Sequence, residues 1–272
     1  MAPLPEEWNK LFSKAASEYE KQSAGVTRLI SQQVLPLLLP ITASSVIHDN
    51  ACGPGIVALD ILALADKAGT PPPTIYATDF NQAMITKLQS IIDEKSLKTL
   101  TAQVMDGSDL SSFADDMFTH SITNFGIFAF PDPVAGARHI LRTLKPGGIA
   151  AITVWKHPGN VFFFNEVIQS VAPGTPEWFP IKEWLEESYL LNIIEKAGFE
   201  KEKFEVRELR TVWNVDDVEY TAGLFEGPFW DPAKEKLSEE QKGECKVVVR
   251  SLLEERKGKG IEMVARVLVA RK

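Results

Sequence analysis

Apolar residues recur at helical spacing near the start of the chain: Trp8, Leu11, Phe12, Ala15, Ala16 and Tyr19, then Val26, Leu29, Ile30 and Val34. Gly25 and Pro36 punctuate this run, so it predicts two helices before the first strand. From residue 45 the periodicity alternates. Short apolar runs at 46–49, 74–78, 100–105, 118–125 and 149–155 read as strands. Helical patterns at 56–68, 81–94 and 133–144 separate them, with Ala83, Met84, Leu88, Ile91 and Ile92 on the apolar face of the second. Lys145-Pro146-Gly147-Gly148 closes the third helix before the fifth strand. This alternation predicts βαβ units, a parallel sheet and right-handed crossovers.

The last third changes character. Residues 184–197 read as a helix that stops at Gly198, and 204–212 as a strand. Residues 262–271 read as the final strand, with alternating Val264, Arg266, Leu268 and Ala270. An insert at 214–260 is mostly helical and carries Tyr220, Phe225, Phe229 and Trp230. The expected architecture is therefore α/β, with a doubly wound, mostly parallel, seven-stranded sheet. One domain over 1–272 is expected: a helical lid at 1–44, the core sheet at 45–212, a helical insert at 213–260 and the last strand at 261–272.

Composition narrows the partners. Lys and Arg number 29 against 37 Asp and Glu, a formal charge of −8. That balance disfavours nucleic acid and anionic membrane surfaces, both of which select basic footprints. No apolar stretch approaches the ~20 residues of a spanning helix, and no leader pattern opens the chain. Two cysteines, Cys52 and Cys245, suit a reducing compartment. The expectation is a soluble cytoplasmic protein, monomer or homodimer, acting on a small molecule.

Candidate chemistry centres on Asp49-Asn50-Ala51-Cys52-Gly53-Pro54-Gly55, placed between a strand and a helix. Gly53 and Gly55 permit a tight turn against the free N–H groups of a helix start. The string also fits G-x-G-x-x-A, a dinucleotide pattern. Against a dinucleotide, Asp49 would repel a pyrophosphate, and Pro54 lacks an N–H. A ligand with both ammonium and carboxylate groups fits better, and the methionine end of S-adenosyl-L-methionine is one. Asp79 and Asp106 end the next two strands, at the edge where open parallel sheets bind ligands. Each of the three acids also reads as a cap for its own turn or helix.

Four motifs in order resemble those of class I S-adenosylmethionine-dependent methyltransferases: 49–55; Thr78-Asp79-Phe80-Asn81-Gln82-Ala83-Met84; Asp106-Gly107-Ser108-Asp109-Leu110; and Leu144-Lys145-Pro146-Gly147-Gly148. The chain departs from the common pattern at Cys52, Gly107 and Thr119. Within the class it is similar to fungal small-molecule methyltransferases of secondary metabolism, a group that includes the dithiol S-methyltransferase of reduced gliotoxin. That finer likeness rests on Asp49-Asn50-Ala51-Cys52-Gly53 and on Phe125-Gly126-Ile127-Phe128 with Phe130-Pro131-Asp132. The resemblance implies a Rossmann-like methyltransferase fold. It implies cofactor contacts from Tyr19, Asp49, Ala51, Gly53, Gly55, Asp79, Phe80, Met84, Asp106, Gly107, Asn124 and Phe125. Asp49 would orient the amino group, Asp79 the ribose and Asp106 the adenine amine. Met84 would pack on the adenine, or equally within its own helix. Tyr19 would fold over the cofactor, or equally serve as a core aromatic.

Methyl transfer needs alignment and exclusion of water more than it needs a base. A phenol or alcohol needs more help than a thiol to lose its proton. Among the four histidines, His157 follows the fifth strand and is the general-base candidate. His48 and His120 read as packing residues, His139 as surface, and Cys52 and Cys245 as structural. The many aromatics beyond residue 154 suit an apolar pocket for the acceptor. The leading function is methylation of an O, S or N atom of a hydrophobic metabolite. The alternative is a binding protein that holds the cofactor without turnover. A nicotinamide-dependent reductase is disfavoured by Asp49 and by the lack of a second mononucleotide half.

Overall fold

The computed structural model describes Glu6, Asn9, Lys10, Phe12, Ser13, Ser23 and every residue from Gly25 to Lys272. Tyr19 and most of the first predicted helix lie outside the described residues. Helix α1 spans Val26–Val34, entered from Gly25 in the left-handed region at φ 70°. Strand β1 (Val46–Asn50) leads through the glycine turn to α2 (Ile56–Lys67). β2 (Thr74–Asp79), α3 (Gln82–Lys95) and β3 (Leu100–Val104) follow. Asn81 caps α3 by accepting the Met84 N–H. β4 (Phe118–Asn124), α4 (Pro133–Thr143) and β5 (Leu144–His157) complete the parallel part.

The remaining elements are α5 (Gly159–Val171), α6 (Glu187–Ala197), β6 (Phe204–Trp213), α7 (Val218–Leu224), α8 (Asp231–Lys234), α9 (Glu239–Arg256) and β7 (Ile261–Arg271). The sheet has seven strands in the order β3-β2-β1-β4-β5-β7-β6. β7 runs antiparallel to both β5 and β6. The order reverses between β1 and β4, leaving a crevice beyond their carboxyl ends.

Both faces of the sheet are covered, which is why its central strands are apolar throughout. Ile30 and Val34 of α1 meet Ile149, Ala151 and Val267. On α2 and α3, Ile61 and Leu88 bury Ile47 and Ile75. The opposite face receives Ile140 of α4 and Ile194 of α6 against Phe118 and Ile152. A separate core joins α5, α7 and α9 over Trp213 and Met263.

Three element expectations are corrected. β5 starts at Leu144, so the Lys-Pro-Gly-Gly run lies inside the strand. Phe118 pairs with Leu144, a register shift follows, and Gly148 accepts from Lys272 N, so tertiary pairing overrides the breaker residues. The helix predicted from 184 is interrupted, because Glu186 is extended and only α6 continues. Periodicity does not mark helix α5. It buries Val161, Phe163, Phe164, Val167 and Ile168 and so shows little amphipathic contrast. β3 also ends at Val104, which leaves Asp106 in the following turn.

Gly159 opens α5 directly against β7. A Cβ there would collide with the backbone carbonyl oxygen of Glu262. Gly159→Ala should lower stability by at least ~2 kcal/mol. Urea unfolding checks this, and a loss below about 0.5 kcal/mol, the size of an ordinary surface change, contradicts it.

Candidate functional site

The site forms where β1, β2 and β4 end. The turn after β1 uses three left-handed residues, Ala51 at φ 56°, Gly53 at φ 55° and Gly55 at φ 89°. Gly55 precedes α2 and packs against Leu88, where a Cβ would overlap that side chain. Cys52 N donates to Thr78 O at 2.9 Å, which fastens the turn to β2.

Asp79 completes the fastening. Its Oδ2 accepts from Gly53 N at 2.8 Å, and its Oδ1 from Asn81 N at 2.9 Å. Asp49 is fully buried, and its Oδ2 accepts from Ala58 N at 3.0 Å, in the first turn of α2. Its Oδ1 is buried and has no partner among the described residues. Asp106 Oδ1 accepts from Ser108 N at 2.8 Å and from Ser108 Oγ at 2.6 Å. Each acid therefore caps a backbone amide, as the alternative reading of each had it. Asp49 and Asp79 do so while also lining a cavity.

That cavity brings together Asp49, Ala51, Gly53, Asp79, Phe80, Met84, Asn124 and Phe125 from the sequence-based set. Gly55, Asp106 and Gly107 are not in its wall. Gly107 sits behind the wall, where a Cβ would strike the Phe130 ring, and Asp106 is exposed. Thr27, Ala129 and Phe130 line the cavity without having been singled out as site residues. The aromatic run after β4 contained Phe130, but periodicity does not mark a residue in a short 3-10 turn and the loop that follows. Asn81 ties the start of the chain to the rim, donating to Asn9 Oδ1 at 2.7 Å and to Ser13 Oγ at 2.8 Å.

A second cavity adjoins the first, and Phe12, Thr27 and Phe125 line both. Its wall is aromatic, with Phe128, Trp155, Phe179, Phe229 and Trp230. Among its described lining residues the polar side chains are Ser23, Thr27 and Asn160, and none is charged. Phe125 adopts φ 56°, an uncommon conformation for a bulky residue. Its N–H donates to Thr153 Oγ1 at 2.8 Å, and its ring stacks on Trp155 with centroids 4.0 Å apart. Thr153 Oγ1 donates to Asn124 Oδ1 at 2.9 Å, and Asn124 Nδ2 donates to Thr27 O at 3.2 Å.

His157 lies at the end of β5 but outside this wall. Trp155 and Pro158 form the wall there, while the His157 ring stacks on Phe162 at 4.4 Å. The other histidines are tied to the scaffold. His48 is buried against Phe118 and bonded to Thr78 Oγ1 at 2.9 Å. His120 bonds Thr119 Oγ1 and the Leu39 carbonyl. His139 lies beside Arg142 and Asp109. Cys52 and Cys245 are both buried.

Burial dominates the electrostatics. It pushes the Asp49 carboxyl up to about 7, with the Ala58 amide opposing and Asp79 adding to the rise. It pushes Asp79 up to about 6 against the two amides that hold its ionised form. Burial, then the two acids, raise the Cys52 thiol well above its usual range. Burial also pushes His48 down to about 3.

These shifts give pH dependences of opposite sign. Folded Asp49 keeps a proton that the unfolded chain releases near pH 3.8. Its stabilisation is therefore full below that value and is lost as pH rises through about 7. His48 refuses a proton, so its contribution is present above pH 6.5 and lost as pH falls towards about 3. Comparison with Asp49→Asn cancels the His48 contribution. The stability of Asp49→Asn relative to wild type should rise between pH 5 and pH 8 by on the order of 2 kcal/mol. Urea unfolding at both pH values measures it, and a constant difference would show that Asp49 titrates normally.

Residues 6–169 match the ubiE/COQ5 methyltransferase family. Methyltransferase tpcH of Aspergillus fumigatus is 26% identical over 163 residues, 57% of each chain. The acetylaranotin bis-thiomethyltransferase of Aspergillus terreus is 26% identical over 170 residues, 61% of this chain and 57% of that one. The chain thus spans less than two thirds of the length of these curated relatives. A phosphoethanolamine N-methyltransferase 2 of Haemonchus contortus, solved with S-adenosylhomocysteine, shares the fold. Its TM-score is 0.55 at 17% identity, over 89% of this chain and 52% of that one. Sheet order, glycine turn and family match agree, and the chain belongs to the ubiE/COQ5 methyltransferase family.

Proposed function

We propose that this protein methylates an O, S or N atom of a hydrophobic small molecule of secondary metabolism, with S-adenosyl-L-methionine as donor. One observation carries the reading: a cavity with two buried carboxylates opens at Phe125 and Thr27 beside a cavity walled by aromatic rings. The fold by itself does not decide the reaction. The fungal relatives, one of them named for thiomethylation, support a secondary-metabolite acceptor.

The residues fit the donor. The unpartnered Oδ1 of Asp49 is a buried acceptor awaiting a cationic group, and an ammonium supplies one. Asp79 keeps spare lone pairs for hydroxyls after accepting two amides. Phe80 and Met84 offer apolar walls to a flat base. When bound, S-adenosylmethionine supplies a methyl group already activated by its sulfonium. What remains for the chain is to hold the acceptor, align it and exclude water. The Phe125–Trp155 stack and the aromatic wall do this by shape. No titratable side chain stands among the described lining residues of the acceptor cavity, so the acceptor's own acidity sets the ease of proton loss.

Calorimetry with S-adenosylhomocysteine tests the donor site. Asp79→Ala should weaken binding at least tenfold, ~1.4 kcal/mol. Unchanged affinity would remove Asp79 from the site. Transfer of labelled methyl to a panel of phenols, thiols and amines tests the reaction. Donor binding with no turnover on any acceptor would favour a binding protein.

A further inference from the structure

Thr27 is the polar residue common to the two cavities on the α1 side, and its hydroxyl has no hydrogen-bond partner among the described residues. The residue is 6% exposed. A helical threonine ordinarily returns its hydroxyl to the carbonyl one turn back. Thr27 is the second residue of α1, so the helix itself supplies no carbonyl one turn back to take its hydroxyl. An unpaired buried hydroxyl costs about 1–3 kcal/mol. The backbone around it is well held, because the Thr27 carbonyl is the end of the chain of bonds from Phe125 N through Thr153 and Asn124.

We infer that the Thr27 hydroxyl is the specificity contact for the acceptor: it hydrogen-bonds a hydroxyl carried by a planar apolar molecule lying against Phe125 and Trp155. This rests on the reading of the aromatic cavity as the acceptor site. The donor side already has Asp49, Asp79 and Asn124 as polar partners. The acceptor side has few among its described lining residues. Asn160 Oδ1 accepts from Val161 N at 3.0 Å, and Ser23 takes part in an interaction of its own. A hydroxyl entering that aromatic chamber meets one hydroxyl in need of a bond, at the junction with the donor cavity. Sites built to bond a substrate hydroxyl discriminate strongly against analogues that lack it.

The test compares wild type with Thr27→Val and Thr27→Ser, using 2-naphthol and naphthalene as probes. Binding is followed by tryptophan fluorescence, with and without S-adenosylhomocysteine. Thr27→Val should weaken 2-naphthol roughly tenfold and leave naphthalene unchanged, while Thr27→Ser restores 2-naphthol to within about threefold. Unliganded Thr27→Val should melt at or above the wild-type temperature, because it removes an unpaired group. A hydroxyl with a merely structural role would lower that temperature. Equal 2-naphthol affinity in wild type and Thr27→Val, no binding by wild type, a falling melting temperature, or weakened S-adenosylhomocysteine affinity in Thr27→Val would each overturn the assignment. Failure of wild type to bind S-adenosylhomocysteine would instead strike the donor reading, and the naphthol comparison would still stand on its own.

Discussion

The site depends on one buried carboxylate held by two amides. Asp79 receives Gly53 N and Asn81 N, so the end of β2 clasps both the turn after β1 and the start of α3. The turn holds three left-handed residues, Ala51, Gly53 and Gly55, and the carboxylate fixes the middle one through its N–H. The same burial pushes its carboxyl up to about 6, so it holds a proton more readily than an exposed aspartate. A cation placed beside it and beside Asp49 would draw both towards the charged form. Architecture and ligand chemistry thus share a single group, and a change that loosens the turn alters the electrostatics as well.

The aromatic cavity follows a different logic. Its walls come from the exit of β4, from β5, from α1 and from the helical insert, elements far apart in sequence. They converge because Phe125 turns sharply out of β4 and is locked by Thr153 on the neighbouring strand. Gly126 then lies so close to Ala51 that a side chain would overlap it. The exit of β4 is seated on the glycine turn, and the aromatic partition inherits its position from that turn.

Much of this was legible in the chain. Strand and helix alternation through residue 144 came from amphipathic periodicity, which is strong where one face meets a sheet. The glycine turn and its acids were legible because turn chemistry is local. Elements decided by long-range contacts were not. α5 is apolar on most sides and reads as scattered aromatics, and Lys145-Pro146-Gly147-Gly148 reads as a break although β4 and Lys272 draw it into the sheet. β7 suggested a one-sided alternation, yet Met263 to Ala270 are buried on both faces, Arg266 included. Asp106 and His157 stood at the predicted strand ends, but spacing along a chain does not tell which side of a turn a side chain takes. Asp106 turns to Ser108 and His157 to Phe162.

The antiparallel β7 has a kinetic corollary. β6 pairs with β7 and with no other strand, and residues 214–260 separate them. Until β7 pairs with it, the β6 segment has no strand to bond among the described residues. Joining β7 to β5 and β6 carries much of the sheet's long-range contact and is slow to form. Acquisition of the catalytic-looking crevice, built on β1 to β4, can therefore precede completion of the sheet. During that interval the half-built edge is where two nascent chains would stick together.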